Sequence, residues 1–93
     1  MAEDPEDLSV EREEEGQLVV QQLDKEILSR GAWATILFRY REWDTRRNDF
    51  GPDKFTIRRY RKVGGLYRQQ SKLNLTSREQ AARLVATLAQ WLE

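Results

Sequence analysis

Arginine and aromatic side chains alternate in the stretch ILFRYREW, from Ile36 to Trp43. The same combination recurs in KFTIRRYRKV, from Lys54 to Val63. Arginine is permanently charged and binds phosphate or carboxylate groups, whereas tryptophan and tyrosine offer flat apolar rings. Single-stranded nucleic acid is a ligand that uses both, since its bases stack on aromatic rings and its phosphates attract cations. The pattern therefore indicates a surface for unpaired nucleic acid.

Histidine and cysteine are both absent from the 93 residues. This removes the usual general base near neutral pH, two common metal ligands and any disulfide framework. Catalysis would depend on carboxylates, which show no paired acid–base spacing in the basic part of the chain, and there is no glycine-rich phosphate loop. We therefore expect no enzyme activity, no metal and no cofactor. Because no long apolar run or signal-peptide pattern appears, we also expect a soluble cytoplasmic protein without membrane contact or small-molecule substrate.

Charge is distributed unevenly, although the formal net charge is zero. Residues 1–16 contain eight acidic side chains and one basic one, whereas residues 39–72 contain eleven basic and four acidic ones. Dense like charge with few apolar residues is typical of disorder. We therefore predict a disordered acidic tail at residues 1–17 and a single nucleic-acid-binding domain at residues 18–93. A tethered acidic tail would also compete weakly with phosphate for the cations of the domain.

Strands are predicted before the helix that ends the chain. Alternation with β-branched and aromatic residues predicts strands in WATILFRYREW and KFTIRRYRKV. The pair Gly64–Gly65 predicts a tight hairpin turn into a further strand, LYRQQSKLNL. The segment LVVQQLDKEILSR, which Gly31 ends, fits either a strand or a helix. The predicted fold class is α+β, in the order β-β-β-β-α.

The C-terminal helix is predicted from its cap and its apolar stripe. Thr76 and Glu79 have the spacing of a capping box. Behind them Leu84, Leu88 and Leu92 recur at helical spacing. The stripe is wider than one small sheet requires and has a tryptophan at its edge, which predicts a homodimer. The predicted dimer-interface residues are Leu84, Leu88 and Trp91.

Alternation within each strand predicts which side chains share a face of the sheet. The helix is expected to cover the face that carries Ala34, Ile36, Phe38 and Tyr40. The opposite face is expected to bind nucleic acid. Its predicted binding residues are Arg39, Arg41, Trp43, Arg58, Tyr60, Lys62, Arg68 and Lys72. Two alternatives remain at this point: the rings serve only for packing beneath solvated cations, or a β-bulge inverts one of the strands.

The chain resembles the positive cofactor four transcriptional coactivators, in particular their compact bacterial relatives. The resemblance covers residues 18–93 and rests on the motifs GAW, KFTIRRYRK and KLNLTSREQAARLVATLAQWL. It implies a curved four-stranded antiparallel sheet backed by the helix, a homodimer, and single-stranded DNA held by basic and aromatic strand residues. By position these residues are Arg39, Arg41, Trp43, Arg58, Tyr60 and Lys62. The acidic tail departs from the serine- and lysine-rich tail of the eukaryotic members.

The expected function is single-stranded DNA binding without sequence specificity, in transcription regulation or DNA maintenance. Single-stranded RNA is an alternative ligand, because stacking and cations do not by themselves distinguish the two. A protein-interaction module for an acidic partner is the third reading, because the same cations would bind carboxylates.

Overall fold

The computed structural model describes residues 2–93 as a curled antiparallel sheet followed by one helix. The strands are β1 (Arg12–Glu14), β2 (Gln17–Ser29), β3 (Trp33–Asp44), β4 (Asp49–Phe50), β5 (Lys54–Val63) and β6 (Leu66–Leu75), and the helix is α1 (Arg78–Trp91). A short 3-10 helix, Pro5–Asp7, precedes them. The strand order across the sheet is β1-β2-β3-β5-β6, and β4 pairs with β3. No helix of residues 2–93 is long and apolar enough to cross a membrane.

The predicted α+β class, the antiparallel sheet and the C-terminal helix are confirmed, but the sheet has six strands rather than four. The segment that fitted either a strand or a helix forms β2, which pairs with β3 along most of its length. The register shifts between Gln22 and Asp24 and again between Ile27 and Ser29. These irregularities interrupt the period of two that identifies a strand, which explains the helix-like apolar spacing of the segment.

The glycine pair forms the predicted hairpin turn between β5 and β6. Gly64 and Gly65 have φ angles of 61° and 82°, and a turn with two positive φ angles matches the twist of the strands that it joins. The helix begins one residue later than its capping box predicted. Ser77 is the N-cap and accepts a hydrogen bond from the Gln80 amide at 3.0 Å, while the Gln80 side chain accepts one from the Thr76 amide at 2.6 Å.

The core lies on one face of the sheet, which we call the covered face and which carries Ala34, Ile36, Phe38 and Tyr40. Ala34, Ile36 and Phe38 are fully buried there. The expectation that the helix covers this face is wrong, because no residue of α1 is buried. The helix continues from β6, the last strand in the sheet order, and has little contact with the other strands. The opposite face of the sheet is called the open face.

The N-terminal segment, residues 2–11, covers the core instead. Pro5, Leu8 and Val10 are buried, and the last two belong to the hydrophobic core with Ile36 and Phe38. The structure therefore differs from the expectation of a disordered acidic tail. The physical reason is that the acids of the segment are exposed to solvent, while its few apolar residues pack on a sheet face that the helix leaves uncovered.

The molecule is flat, with principal extents of 42 × 38 × 17 Å. Its radius of gyration is 14.9 Å, whereas a compact domain of this length has about 12 Å. Apolar side chains accordingly remain exposed on α1 and at the edge of the sheet. Leu73 is 57% exposed and Trp91 is 76% exposed.

Candidate nucleic-acid interface

Strand register decides which predicted binding residues share a face, because residues directly opposite in an antiparallel pair point to the same side. Ile36 lies opposite Arg58, and Ala34 lies opposite Tyr60. Arg58 and Tyr60 therefore lie on the covered face. Their predicted grouping with Arg39 is wrong. Alternation was read correctly within β3 and within β5, but the relative phase of the two strands depends on their pairing, which the sequence does not show.

The pairing of β5 with β6 adds two more groups to the covered face. Lys72 lies opposite Arg58, and Tyr67 lies opposite Lys62. A register shift follows the pair of Arg59 with Ser71, so that Tyr60 lies opposite Gln69. The bulge reverses the faces to which the side chains in half of β6 point, and an inverted strand was one of the two alternatives that the sequence left open. The covered face thereby brings together four of the predicted residues: Arg58, Tyr60, Lys62 and Lys72.

The remaining predicted residues lie elsewhere. Arg39 lies opposite Phe55 on the open face, with its Nε 3.8 Å from the Asp53 carboxylate. Arg68 lies opposite Arg61, by register on the open face, but as a residue of the last strand in the sheet order it also lines the cleft that contains Tyr60 and Tyr67.

Arg41 and Trp43 form a separate cluster with Phe50 at the end of β3. The Arg41 Nε donates to the Gln21 side chain at 2.6 Å, and its guanidinium carbon lies 4.5 Å from the Phe50 ring centroid. Trp43 meets the same phenylalanine edge to face, with ring centroids 5.2 Å apart. Both side chains are thus engaged with neighbours, away from the four residues on the covered face.

Arg58 is the central cation of the covered face. It is half-buried, and its Nη1 donates to the Gln69 side chain at 3.1 Å. Its Nε is buried without a hydrogen-bond partner in residues 2–93. A buried donor without a partner costs about 1–3 kcal/mol, so a ligand that accepts its hydrogen bond gains more here than at a solvated arginine. Burial raises the pKa of the neighbouring Tyr60, while Arg58 acts in the opposite direction.

Two clefts border this arginine and the adjacent tyrosines. One of about 410 Å³ contains Arg58 and Lys72 beside Tyr40. The other, of about 880 Å³, contains Tyr60 and Tyr67. We call the strip that joins the two clefts the tyrosine–cation groove; its residues are Tyr40, Arg58, Tyr60, Lys62, Tyr67 and Lys72.

Within the part of the chain that the structure describes, no salt bridge joins a cation of the groove to an acid. Across residues 2–93 the salt bridges involve Arg12, Arg30, Arg39 and Lys54, and none involves Arg58, Lys62 or Lys72. The Lys62 ammonium instead lies 5.5 Å from the Tyr67 ring centroid. The groove therefore combines positive charge with aromatic rings on one surface, which is the chemistry that the sequence predicted.

The N-terminal segment borders this groove and is held by Lys25 and by an ion pair of Glu6 with Arg30 at 2.7 Å. The Lys25 ammonium donates to the backbone carbonyls of Pro5, Glu6 and Leu8 at 2.6, 2.7 and 2.7 Å. Burial lowers the pKa of Lys25, while the adjacent acids, Glu6 foremost, act in the opposite direction. All three donor positions of the ammonium are thereby used by the segment.

Further bonds hold the two ends of the segment. The Gln22 side-chain oxygen accepts from the Ser9 hydroxyl at 3.0 Å and from the Val10 amide at 3.2 Å. At the other end the Tyr67 amide donates to the Ala2 carbonyl at 2.8 Å, as in a strand pair.

Sequence reasoning missed three residues of this region. Lys25 lies in the segment whose structure was ambiguous, so no signal in the sequence placed it on this face, whereas Tyr67 was read as part of the apolar, packing side of its strand. Tyr40 was assigned to the packing face, and that assignment is correct. The sequence did not show that the packing face of the sheet also carries part of the predicted basic surface.

The predicted dimer-interface residues share one side of α1. Leu84 is half-buried, whereas Leu88 is 44% exposed and Trp91 76% exposed. All three line a shallow, largely apolar groove along the helix.

Comparison of the chain with known protein families, with curated proteins and with solved structures finds no match. The resemblance to the positive cofactor four coactivators therefore stays a prediction.

Proposed function

We propose that the protein is a binding module for single-stranded nucleic acid, with DNA as its ligand, and that the tyrosine–cation groove is the binding site. One observation carries the proposal: Arg58, Tyr60, Lys62 and Lys72 lie on one sheet face, and their cations have no acidic partner within the described chain. The cations would bind phosphates, and Tyr60 and Tyr67 would stack on bases.

Single strands fit this surface better than duplexes do. A duplex keeps its bases stacked on each other, so tyrosine rings gain little from it, whereas every unpaired base has a face free for stacking. Stacking and phosphate contacts carry no sequence information, which supports binding without sequence specificity. Transcription regulation or DNA maintenance is the proposed setting, in line with the family resemblance.

The direct test is titration of a fluorescent oligothymidylate in competition with unlabelled ligands. We expect the single strand to compete at least tenfold better than a duplex of the same length, and affinity to fall as salt rises. Oligouridylate in the same assay decides between DNA and RNA. Equal competition by duplex and single strand would contradict the proposed role of the tyrosines.

An acidic protein segment is a second candidate ligand. The observation that favours it is the N-terminal segment itself, an acidic peptide that borders the groove and is held by backbone bonds to Lys25 and by the ion pair of Glu6 with Arg30. A partner with a similar acidic segment would bind through the same contacts. Binding of an acidic peptide, with no binding of oligothymidylate at low salt, would select this function.

We also propose that two copies of the chain associate through α1. The support is that Leu88 and Trp91 are exposed on one side of the helix and that the radius of gyration exceeds that of a compact domain. A second copy would cover these side chains, since apolar surface buried between subunits stabilises their association.

A further inference from the structure

We propose that residues 2–11 close the tyrosine–cation groove in the free protein, and that a nucleic-acid strand binds only after displacing them. The three hydrogen bonds of the Lys25 ammonium to the segment stabilise this closed state. The identity of the displacing ligand rests on the proposed function, whereas the closed state rests on the contacts of the segment alone.

The rings of the groove cannot stack on a base in the closed state. Tyr60 is 5% exposed and Tyr67 is 4% exposed. Segment residues line both clefts: Ala2, Asp7 and Leu8 border the cleft of Tyr60, and Ser9, Val10 and Glu11 border that of Arg58. A base needs the whole face of a ring. The segment and the strand therefore use the same surface and exclude each other.

Charge makes the exclusion stronger. Glu3 and Asp7 border the cleft of Tyr60 and Tyr67, and Glu11 borders that of Arg58. A phosphate backbone that approached Lys62 or Arg58 would meet these carboxylates as like charges. When the segment leaves, the strand is relieved of that repulsion, and the Lys25 ammonium loses its three carbonyl acceptors and becomes available to a phosphate. Displacement thus adds a cation to the site and removes acids from it.

Closure lowers the apparent affinity by the fraction of molecules that are open. If about one molecule in ten is open, full opening tightens binding about tenfold. Lys25→Met keeps the length of the side chain and removes the three bonds to the segment. We therefore expect Lys25→Met to bind oligothymidylate several-fold more tightly than the parent, even though it has lost a cation. If the free protein had no closed state, the loss of the Lys25 cation would weaken binding instead.

The matched control is Lys54→Met. Lys54 is also a half-exposed lysine of the sheet, but its ammonium is paired with Glu42 at 2.7 Å rather than with the segment. We expect this variant to leave the segment in place and the affinity slightly weaker, because loss of the ammonium frees the Glu42 carboxylate, which borders the Arg58 cleft. A gain in affinity with both variants would show a general effect of removing lysine and would overturn the proposal.

Amide hydrogen exchange of the full chain tests the closed state without reference to affinity. The Val10 amide, which donates to Gln22, and the Tyr67 amide, which donates to Ala2, are expected to be protected in the free protein. Saturating oligothymidylate should release both, while the amides between β3 and β5 stay protected. Lys25→Met should release them without ligand.

Two results would overturn the inference. One is fast exchange of the Val10 amide in the free parent protein, because the groove would then already be open. The other is continued protection of both amides with oligothymidylate bound, because the strand would then bind elsewhere. If no oligothymidylate binds even to Lys25→Met, the proposed function fails, and the exchange of the free protein still decides the closed state.

Discussion

Arg58 and Lys72 lie directly opposite each other on β5 and β6, with both side chains on the covered face of the sheet. Like charges in this position destabilise a sheet by up to about 1 kcal/mol. No acid of the described chain forms a salt bridge with either of them. A sequence selected for stability alone would avoid the pair, which is consistent with a ligand that supplies the missing negative charge.

Replacing Lys72 should therefore have opposite effects on folding and on binding. Lys72→Thr is expected to raise the free energy of unfolding by a few tenths of a kcal/mol, because it removes the repulsion and suits a strand. The same change should weaken binding of oligothymidylate. Urea unfolding and fluorescence anisotropy measure the two effects. A variant that is less stable and binds equally well would refute the assignment of Lys72.

The tyrosine rings should contribute to affinity in a way that salt does not affect. Tyr60→Leu is expected to weaken oligothymidylate binding by roughly 1–3 kcal/mol while the slope of log affinity against log salt stays unchanged. Circular dichroism of the variant controls for folding, since Tyr60 is also a core residue.

Trp43→Leu is the matched aromatic control. Its ring packs on Phe50 away from the groove, so we expect it to lower stability and leave binding intact. If Trp43→Leu weakens binding as much as Tyr60→Leu does, stacking occurs at the end of β3, as the sequence alone had suggested, and the groove is not the aromatic site.

The fold was largely predictable from the sequence, whereas the grouping of the site residues was not. Local signals were sufficient for the long strands, for the turn at Gly64–Gly65 and for the helix, because each depends on neighbouring residues. The faces depend on register, and two bulges of β2 in its pairing with β3 and one of β6 in its pairing with β5 change the phase in ways that no local pattern records.

The packing of the N-terminal segment on the sheet was not predicted, and the reason is a different one. The overall composition of the segment is that of a disordered chain. Its position on the sheet is decided by three buried residues, Pro5, Leu8 and Val10, and an average over the segment hides them. The other residues of the core lie on β2, β3, β5 and β6, so the gain from burying the segment appears only when the sheet is present.

The exposed side of the helix should control the oligomeric state. Trp91→Glu is expected to convert a dimer into a monomer in sedimentation at micromolar concentration, because a charge within an apolar contact is costly to bury. Ala86→Glu, on the opposite side of the same helix, should leave the dimer intact. A parent protein that is monomeric at high micromolar concentration would refute the dimer.

The adjacent residues Arg58 and Arg59 point to opposite faces of β5, and comparing them tests the central claim most directly. Arg58 lies in the groove, whereas Arg59 lies on the open face, 4.5 Å from the Trp33 ring centroid. Binding of oligothymidylate should be measured at several salt concentrations for Arg58→Ala and Arg59→Ala. The groove predicts that Arg58→Ala weakens binding and lowers the salt slope by about 0.7, while Arg59→Ala changes neither. A loss of affinity and slope with Arg59→Ala, but not with Arg58→Ala, would place the nucleic acid on the open face and contradict the groove.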